Sequence, residues 1–250
     1  MNTAKIGKNT YIADTAIIHP NVEIGENCRI EDFCIIGYPA PGRFKGKTLK
    51  IGNNSTIRSH STLYEGSTFE DGLKVGHKTL IREGTIAGVN FQIGSLNDIE
   101  GEVRVGKNVR FHSNVHIGKG AVIEDYVWVF PYVVLTNDPI PPSGLMEGVT
   151  LRKASIVCTQ SVILPGVTIG KGAMVGAFSR ISRDVPDCKI AVGGEGKIVG
   201  DIDRLKHKPT EKRHPWMRFY REYPDEFQSE LDSLLLEMEE VLSRNHAESR

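Results

Sequence analysis

Aliphatic residues recur at every sixth position through most of this chain. The pattern starts at Ile6, restarts at Ile51 and Leu151, and gives 27 hexads, of which 24 begin with Ile, Leu or Val. A period of six matches neither the 3.6-residue turn of a helix nor the two-residue repeat of an ordinary strand. It is the repeat of a parallel β-helix, in which short strands are separated by corners. Three hexads close one triangular coil, so the 27 hexads predict about nine stacked coils.

A second repeating position supports this register. Four residues after the aliphatic lead comes a small side chain in most hexads, such as Cys28, Ser61 and Thr85. The residue directly after the lead is often Gly or acidic, as at Gly25 and Glu124. We therefore expect large leads to fill a narrow prism and small residues to fit its corners.

The repeated motif [ILV]-[GAED]-x-x-[STAV]-x resembles that of the hexapeptide-repeat acyltransferases, and the resemblance covers roughly residues 5–200. It implies an all-β fold, a left-handed parallel β-helix, over a domain of residues 1–200. It also implies a homotrimer with active sites between subunits. Two insertions, residues 37–50 and 136–150, interrupt the hexads. The second is interpreted as a loop that reaches a neighbouring subunit and covers an active site, with a tolerated surface insertion as the alternative.

Residues 201–250 have a different character and are expected to form a helical tail. The segment after Asp201 is polar and basic, which indicates a linker or a short helix. Pro224 then opens a stretch whose apolar residues fall on one helical face. We expect this face to pack against the last coil or another subunit's tail; its residues are Leu231, Leu234, Leu235, Met238, Val241 and Leu242.

Composition narrows the class of protein. Lysine plus arginine and aspartate plus glutamate each number 31, a balance that gives no support to nucleic-acid binding. No apolar run approaches the roughly 20 residues of a membrane helix. The first hexad follows Met1 within a few residues, so we expect no signal peptide. The four cysteines are interpreted as buried thiols rather than disulfides or metal ligands, so we expect a cytoplasmic protein.

Residues 18 positions apart share a column of the predicted coil, and this places three histidines on one corner. His60, His77 and His112 lie there, together with Arg58 and Asn114, and His116 follows one strand later. A single exposed histidine is commonly inert, but three on one edge favour a functional surface. The neighbouring corner carries Glu65, Glu83 and Asn137 in one column.

Acyl transfer from a thioester needs a base with a pKa near neutrality, which histidine supplies. The stretch from Val109 to Gly118 and the later Leu135-Thr136-Asn137-Asp138 resemble the N-acetyltransferases that act on nucleotide-linked amino sugars. The resemblance implies acetyl-coenzyme A as co-substrate, no metal, and a role in O-antigen-type surface polysaccharide and lipopolysaccharide biosynthesis. We predict His112, Asn114 and His116 as catalytic residues, with His116 as the alternative base to His112. The predicted acceptor-binding residues are Arg58, His60, His77, Glu83 and Asn137.

The coenzyme is expected higher on the same corner. Gly176 and Ala177 would leave backbone groups uncovered for the pantetheine chain, and nearby cations would meet the adenosine phosphates; these cations are Lys171, Arg180 and Lys189. The chain departs from the family ending A-V-G-N-P-A-K, because Gly194-Glu195-Gly196 replaces Asn-Pro-Ala.

Two other functions remain open from the sequence. The γ-class carbonic anhydrases share the fold and bind zinc through three histidines. His77, His112 and His116 are spaced by 35 and 4, whereas that class usually separates its last two ligands by five. A non-catalytic β-helix scaffold is the other alternative. A metal assay tests the first, and thioester turnover tests the second.

Overall fold

A computed structural model describes residues 3–141, 144–204 and 223–248 of the chain. Short parallel strands form three sheets that wrap one long prism, and the chain passes from sheet to sheet in strict order. This is the parallel β-helix that the hexads predict, with the left-handed winding that the family resemblance implies. Nine strands in each of two sheets confirm the nine coils, and the remaining sheet continues for two further strands.

The strands of the three sheets alternate along the chain. The first sheet contains β1 (Lys5–Ile6), β4 (Val22–Ile24), β7 (Leu49–Ile51), β10 (Thr68–Phe69), β13 (Ile86–Ala87), β16 (Arg104–Val105), β19 (Val122–Ile123), β22 (Thr150–Leu151) and β25 (Thr168–Ile169). The second contains β2 (Tyr11–Ile12), β5 (Arg29–Ile30), β8 (Thr56–Ile57), β11 (Lys74–Val75), β14 (Gln92–Ile93), β17 (Arg110–Phe111), β20 (Trp128–Val129), β23 (Ile156–Val157), β26 (Met174–Val175), β28 (Lys189–Val192) and β29 (Lys197–Asp201). The third contains β3 (Ile17–Ile18), β6 (Ile35–Tyr38), β9 (Thr62–Tyr64), β12 (Leu80–Ile81), β15 (Asp98–Ile99), β18 (His116–Ile117), β21 (Val134–Leu135), β24 (Val162–Ile163) and β27 (Arg180–Ile181).

The aliphatic leads form the core, as predicted. Successive coils pair 18 residues apart, for example Ile99 with Ile117, so leads stack directly on one another. Ile117 and Ile163 have no exposed surface. The small residues four positions later, such as Ser61, are also buried, and the Ser61 hydroxyl donates to the Gly76 carbonyl oxygen at 2.8 Å. Small polar residues therefore fit the corners because their hydroxyls bond the backbone of the next coil.

The corners require backbone of left-handed conformation. Where the chain turns from the second sheet to the third, one residue per coil has a φ between 56° and 65° in eight coils. Only Gly, Asn and Asp adopt this conformation readily. The eight residues are Phe33, His60, Lys78, Leu96, Asn114, Tyr132, Gln160 and Phe178.

The first insertion folds back on its own chain. Glu65 is buried, and its Oε1 accepts the N–H groups of Ala40 at 3.0 Å and Gly46 at 2.6 Å. A 3₁₀ turn at Gly42–Phe44 then brings the Phe44 ring over the corner between the third and first sheets. The loop is thus anchored on this corner by a carboxylate and an aromatic ring.

The C-terminal helix α1 (Gln228–Glu248) follows a 3₁₀ turn at Asp225–Phe227, close to the predicted start at Pro224. Its buried residues Leu231 and Met238 pack on the side of the prism, and their contacts extend down to Tyr126, several coils below the end. The helix therefore packs along several coils, and not against the last coil alone as the sequence predicted. The antiparallel β28–β29 hairpin lies over the last coil instead, with Gly196 against Ile181.

Charge complementarity accompanies this packing. The α1 carboxylates Glu230 and Glu237 pair with Lys107 and Lys171 of the β-helix. The predicted linker beyond residue 204 lies outside the described residues. No helix in the described ranges combines the length and apolarity that a membrane crossing needs. The four cysteines are free thiols; Cys158 is half-buried, and the buried ones are Cys28, Cys34 and Cys188.

Candidate functional site

The structure places the three corner histidines between the second and third sheets, but not around one point. His60 packs its ring 4.9 Å from the ring of Phe33. His77 Nδ1 lies 2.9 Å from the Ser59 hydroxyl oxygen. Arg58, from the same corner, pairs with Glu31 of the coil below, with 2.5 Å between Nη1 and Oε1. We call residues 58–60, 76–78, 94–96, 112–114 and 130–132 the histidine corner.

His112 is the most enclosed histidine of this corner. Its ring stacks on that of Phe130, with 4.7 Å between centroids and 18° between planes. Burial of the ring, together with the nearby Arg110 guanidinium, lowers the pKa of His112. The side chain is therefore neutral at pH 7 and a weaker base than a free histidine.

An aromatic cluster from the tail supports the same corner from the side. Arg110 lies over the rings of Trp128 and Tyr223, at 4.7 and 5.3 Å from their centroids. The Trp128 indole N–H donates to the Tyr223 hydroxyl at 2.9 Å. Tyr223, just before α1, thus holds the position of Arg110, which in turn faces His112.

Asn114 occupies the left-handed position of its coil, with a φ of 59°. Asparagine adopts this conformation at lower cost than most residues. The left-handed backbone alone can account for an asparagine at this position. Its contact with the acceptor amine therefore stays a prediction.

A second constellation lies on the outer surface of the third sheet. His116 Nδ1 is 3.0 Å from Asp98 Oδ2, one coil below, and His116 Nε2 is 3.6 Å from Glu100 Oε1. Glu100 Oε2 in turn accepts the side-chain amide of Asn137 at 2.7 Å and the backbone N–H of Lys119 at 3.0 Å. We call Asp98, Glu100, His116 and Asn137 the dyad patch. It includes two of the residues predicted from sequence, His116 and Asn137, and Glu100 joins them.

The pKa of His116 in the dyad patch shifts in the opposite direction to that of His112. The hydrogen bond that the His116 ring donates to Asp98 raises the pKa of His116, and this outweighs partial burial, which lowers that pKa. Asp98 holds Nδ1 as the protonated nitrogen, so Nε2 is the free base in the neutral form. All three charged side chains of the patch remain between 35% and 45% exposed, which leaves them open to a ligand.

Glu83 is held inside the fold. It is 7% exposed and takes a bidentate contact from Arg82, at 2.8 Å to Nη2 and 3.3 Å to Nε. Its column partner Glu65 holds the first insertion. Glu83 is therefore already paired with Arg82, and its contact with the acceptor stays a prediction.

The residues predicted for the coenzyme lie on three sides of the prism. Gly176 faces the Val192 side chain, and its N–H donates to the Ala191 carbonyl. Ala177 is exposed above the histidine corner, where the chain turns from the second sheet to the third. Among the predicted cations, Lys171 pairs with Glu237 of α1 and Lys189 pairs with Asp201 at 2.8 Å. Both lysines already have carboxylate partners, and their role at a coenzyme stays a prediction.

Arg180 lies on the third sheet and is exposed. Its Nε donates to the Gly194 carbonyl at 3.1 Å, within the segment that departs from the family ending. It is therefore the predicted phosphate-binding cation that has no carboxylate partner among the described residues.

Sequence reasoning missed Asp98 and Glu100. The sequence could have revealed Asp98, because it precedes His116 by 18 residues and so belongs to the same column. Within the described ranges, no three His, Cys, Asp or Glu side chains come together in a way that could hold a metal ion. His77, His112 and His116 each have a separate neighbour, as described above.

Comparison with known proteins agrees with the repeat. A family model for the bacterial transferase hexapeptide (six repeats) matches residues 3–38. The bifunctional protein GlmU of Thermotoga maritima is 28% identical over 225 residues, which are 84% of this chain and 43% of that protein. The same protein of Thermosipho africanus is 32% identical over 200 residues, which are 79% and 40%. The chain thus spans about two fifths of the length of these curated relatives.

Solved structures share the fold. A UDP-N-acetylglucosamine acyltransferase of Francisella novicida superposes with a TM-score of 0.66 at 18% identity, covering 88% of this chain and 77% of that one. A UDP-N-acetylglucosamine O-acyltransferase of Moraxella catarrhalis gives 0.57 at 19% identity, covering 91% and 82%. The resemblance to hexapeptide-repeat proteins that the sequence predicts is confirmed.

Proposed function

We propose that this hexapeptide-repeat chain is an acyltransferase that moves an acetyl group from coenzyme A to the amine of a nucleotide-linked amino sugar. The observation that carries the proposal is the Asp98–His116 pair, exposed on the third sheet with Nε2 unprotonated in the neutral form. The two solved structures that share the fold are, by name, acyltransferases of a UDP-linked sugar. This supports a sugar nucleotide as acceptor.

The proposed reaction uses His116 as the general base. The amine nitrogen attacks the thioester carbonyl carbon and gives a proton to His116 Nε2, while Asp98 stabilises the imidazolium that forms. Collapse of the tetrahedral intermediate breaks the C–S bond. The thiolate leaves and takes up the proton from His116, so the base is regenerated. A base in this position typically contributes about 10²- to 10⁴-fold to the rate.

The carboxylates of the dyad patch favour an amine over a hydroxyl as acceptor. Glu100 Oε1 lies 3.6 Å from His116 Nε2, so a group that binds His116 also meets a negative charge. A protonated amine is attracted to Glu100 and Asp98, and it releases its extra proton to solvent before the neutral nitrogen attacks. A hydroxyl carries no positive charge, so its attraction to these carboxylates is limited to a hydrogen bond.

His112 is assigned a different task. Its lowered pKa makes it the weaker base of the two, while its stacked ring presents a rigid edge on the histidine corner. We propose that His112, with Asn114 and the neighbouring corner residues, contacts the acceptor. Coenzyme A is proposed to lie above this corner, near Ala177 and Arg180. The enzyme is proposed to be a homotrimer whose product serves surface polysaccharide assembly.

The test is release of free thiol from acetyl-coenzyme A, measured against a panel of nucleotide-linked sugars that carry either an amine or a hydroxyl at one position. We expect turnover with an amino sugar, a loss of about 10²- to 10⁴-fold in kcat for His116→Ala, and a smaller change, mainly in the acceptor KM, for His112→Ala. His246→Ala, on the exposed face of α1, is the matched control and should retain activity. Equal rates for amine and hydroxyl acceptors, or full activity of His116→Ala, would contradict the proposal.

A further inference from the structure

A column of aromatic and basic side chains continues down the third sheet from the dyad patch. Tyr38 pairs with Tyr64 one coil above it. Arg82 and Glu100 follow at the same position of the next two coils, because β9, β12 and β15 pair 18 residues apart. The phenol rings of Tyr38 and Tyr64 lie 4.9 Å apart at 45°. Tyr38 is 42% exposed, so this pair presents aromatic surface to solvent.

The first insertion fixes the geometry of this pair. Tyr38 ends β6, and its carbonyl accepts the N–H of Glu65 at 3.0 Å. The carboxylate of the same Glu65 anchors the insertion through the two backbone N–H groups described above. The His19 ring meets Tyr38 edge-on, with 6.3 Å between centroids. Tyr38 is therefore held by its backbone and by two neighbouring rings before any ligand binds, which lowers the entropy cost of binding.

Arg82 lies between the tyrosine pair and the dyad patch. The Glu83 carboxylate accepts hydrogen bonds from Arg82 Nε and Nη2. Among the described residues, no acceptor bonds the Nη1 end of the guanidinium fork, and the side chain is 39% exposed. A planar guanidinium is well suited to phosphate oxygens.

These groups follow one another along the column in the order of the parts of a sugar nucleotide. Tyr64 and His116 are three coils apart, which corresponds to about 14 Å at about 4.8 Å per coil. Arg82 lies one coil above Tyr64. A base, a diphosphate and a sugar amine laid along this column would meet an aromatic pair, a guanidinium and the His116 base in turn.

We propose that Tyr38 and Tyr64 form the platform on which the base of a nucleoside diphosphate stacks, with Arg82 as the contact for the diphosphate. The inference deepens the proposed function, and it rests on that function in placing the sugar at His116. It moves the nucleotide from the histidine corner to the third sheet. Stacking tolerates different bases because every base has an aromatic face, so the platform accepts both pyrimidines and purines.

The experiment measures binding without acyl transfer. Uridine diphosphate, guanosine diphosphate and inorganic pyrophosphate are titrated into the full chain by calorimetry. We expect both nucleotides to saturate one site. Tyr38→Ala and Tyr64→Ala should each weaken nucleotide binding by roughly 5- to 150-fold, the loss of one stacked ring, and leave pyrophosphate binding unchanged. Arg82→Gln should weaken all three ligands.

Tyr11→Ala is the matched control. Tyr11 is an exposed tyrosine on the second sheet, 50% accessible and with Arg29 over its ring, and it lies away from this column. Its loss should change no affinity. Circular dichroism of each variant shows whether the β-helix is intact.

The two proposals fail separately. Nucleotide binding that depends on the tyrosines in a chain that transfers no acyl group overturns the proposed function and keeps the platform. Acyl transfer to a sugar nucleotide whose KM is the same in the native chain, Tyr38→Ala and Tyr64→Ala overturns the platform alone. Absence of saturable nucleotide binding by the folded native chain also overturns it.

Discussion

Asp98 Oδ2 lies 3.0 Å from His116 Nδ1, and the two residues are directly paired on adjacent coils of the third sheet. The repeat itself creates this contact, because side chains 18 residues apart must stack. The β-helix thus holds an acid–base pair on two strands of fixed register, with no loop involved. A pair on such rigid elements keeps its geometry in the absence of substrate.

The pH profile of acyl transfer should depend on this pair. Asp98 raises the pKa of His116, and a general base is active only when it is neutral, so activity should fall as the pH drops through this raised value. Asp98→Asn removes the cause of the upward shift. We expect the acidic limb of kcat/KM to move to lower pH and the plateau rate to fall, because the imidazolium loses its partner. Asp14→Asn, at an exposed site in the first coil, should leave the profile unchanged, and an unmoved limb in Asp98→Asn would contradict the assignment.

Two variants of Asn114 distinguish a role of its backbone conformation from a role of its side chain in catalysis. Its φ of 59° is available to glycine without cost. Asn114→Gly should keep the melting temperature within a few degrees, whereas Asn114→Val should lower stability by about 1–2 kcal/mol. If the side chain contacts the acceptor, Asn114→Gly loses activity while remaining stable. Full activity of a stable Asn114→Gly variant would leave only the backbone role.

The sequence predicted most of the fold because one physical rule repeats. Each hexad buries one lead and turns one corner, so strands such as β18 and the inward direction of Ile117 follow from counting. Column neighbours follow too, and the Asp98–His116 contact could have been read in the same way. The hexad period does not predict where a segment without repeats packs on the β-helix.

The tail and the first insertion are such segments. Their positions depend on long-range contacts, such as Lys171 with Glu237 and Phe44 over Gly84. The hexad period does not predict these contacts. Lys171 consequently looked free in the sequence and is paired in the structure. The left-handed φ of Asn114 also arises from the corner geometry rather than from the repeat pattern of apolar residues.

The register of inward and outward residues can be checked within a single strand. Ile123 is 1% exposed and its neighbour Val122 is 36% exposed, although both belong to β19. Ile123→Asp places an unpaired charge inside the prism, which costs several kcal/mol, and we expect insoluble protein. Val122→Asp should remain soluble, with nearly the same melting temperature. Equal solubility of the two variants would show that the register is wrong.

Gly84 and Phe44 form a contact that fixes the first insertion. A methyl group on Gly84 would lie 2.5 Å from Phe44 Cζ, and the φ of Gly84 is +70°. Gly84→Ala should therefore displace the loop and cost about 1–3 kcal/mol, through overpacking and backbone strain. Limited proteolysis between residues 37 and 48 measures the displacement. Gly46→Ala, which also has a positive φ but has open space at Cβ, controls for backbone strain alone. Equal cleavage of the two variants would show that the Phe44 contact does not hold the loop.

Docking of the tail should weaken in acid, and Asp201 offers a site at which to measure it. Burial opposes ionisation of Asp201, but hydrogen bonds from Lys189 and Asn245 outweigh it and lower the pKa of this carboxyl group. A carboxylate with a lowered folded-state pKa stabilises the fold above its unfolded value of about 3.9, and this stabilisation is lost as the pH falls through the folded value. Asp201→Asn should cost about 1–3 kcal/mol at pH 7, and the difference from the native chain should disappear near pH 2. Thermal unfolding at a series of pH values measures this difference, with Glu240→Gln on the exposed face of α1 as control. A difference that stays constant down to pH 2 would mean that Asp201 acts through packing rather than through its charge.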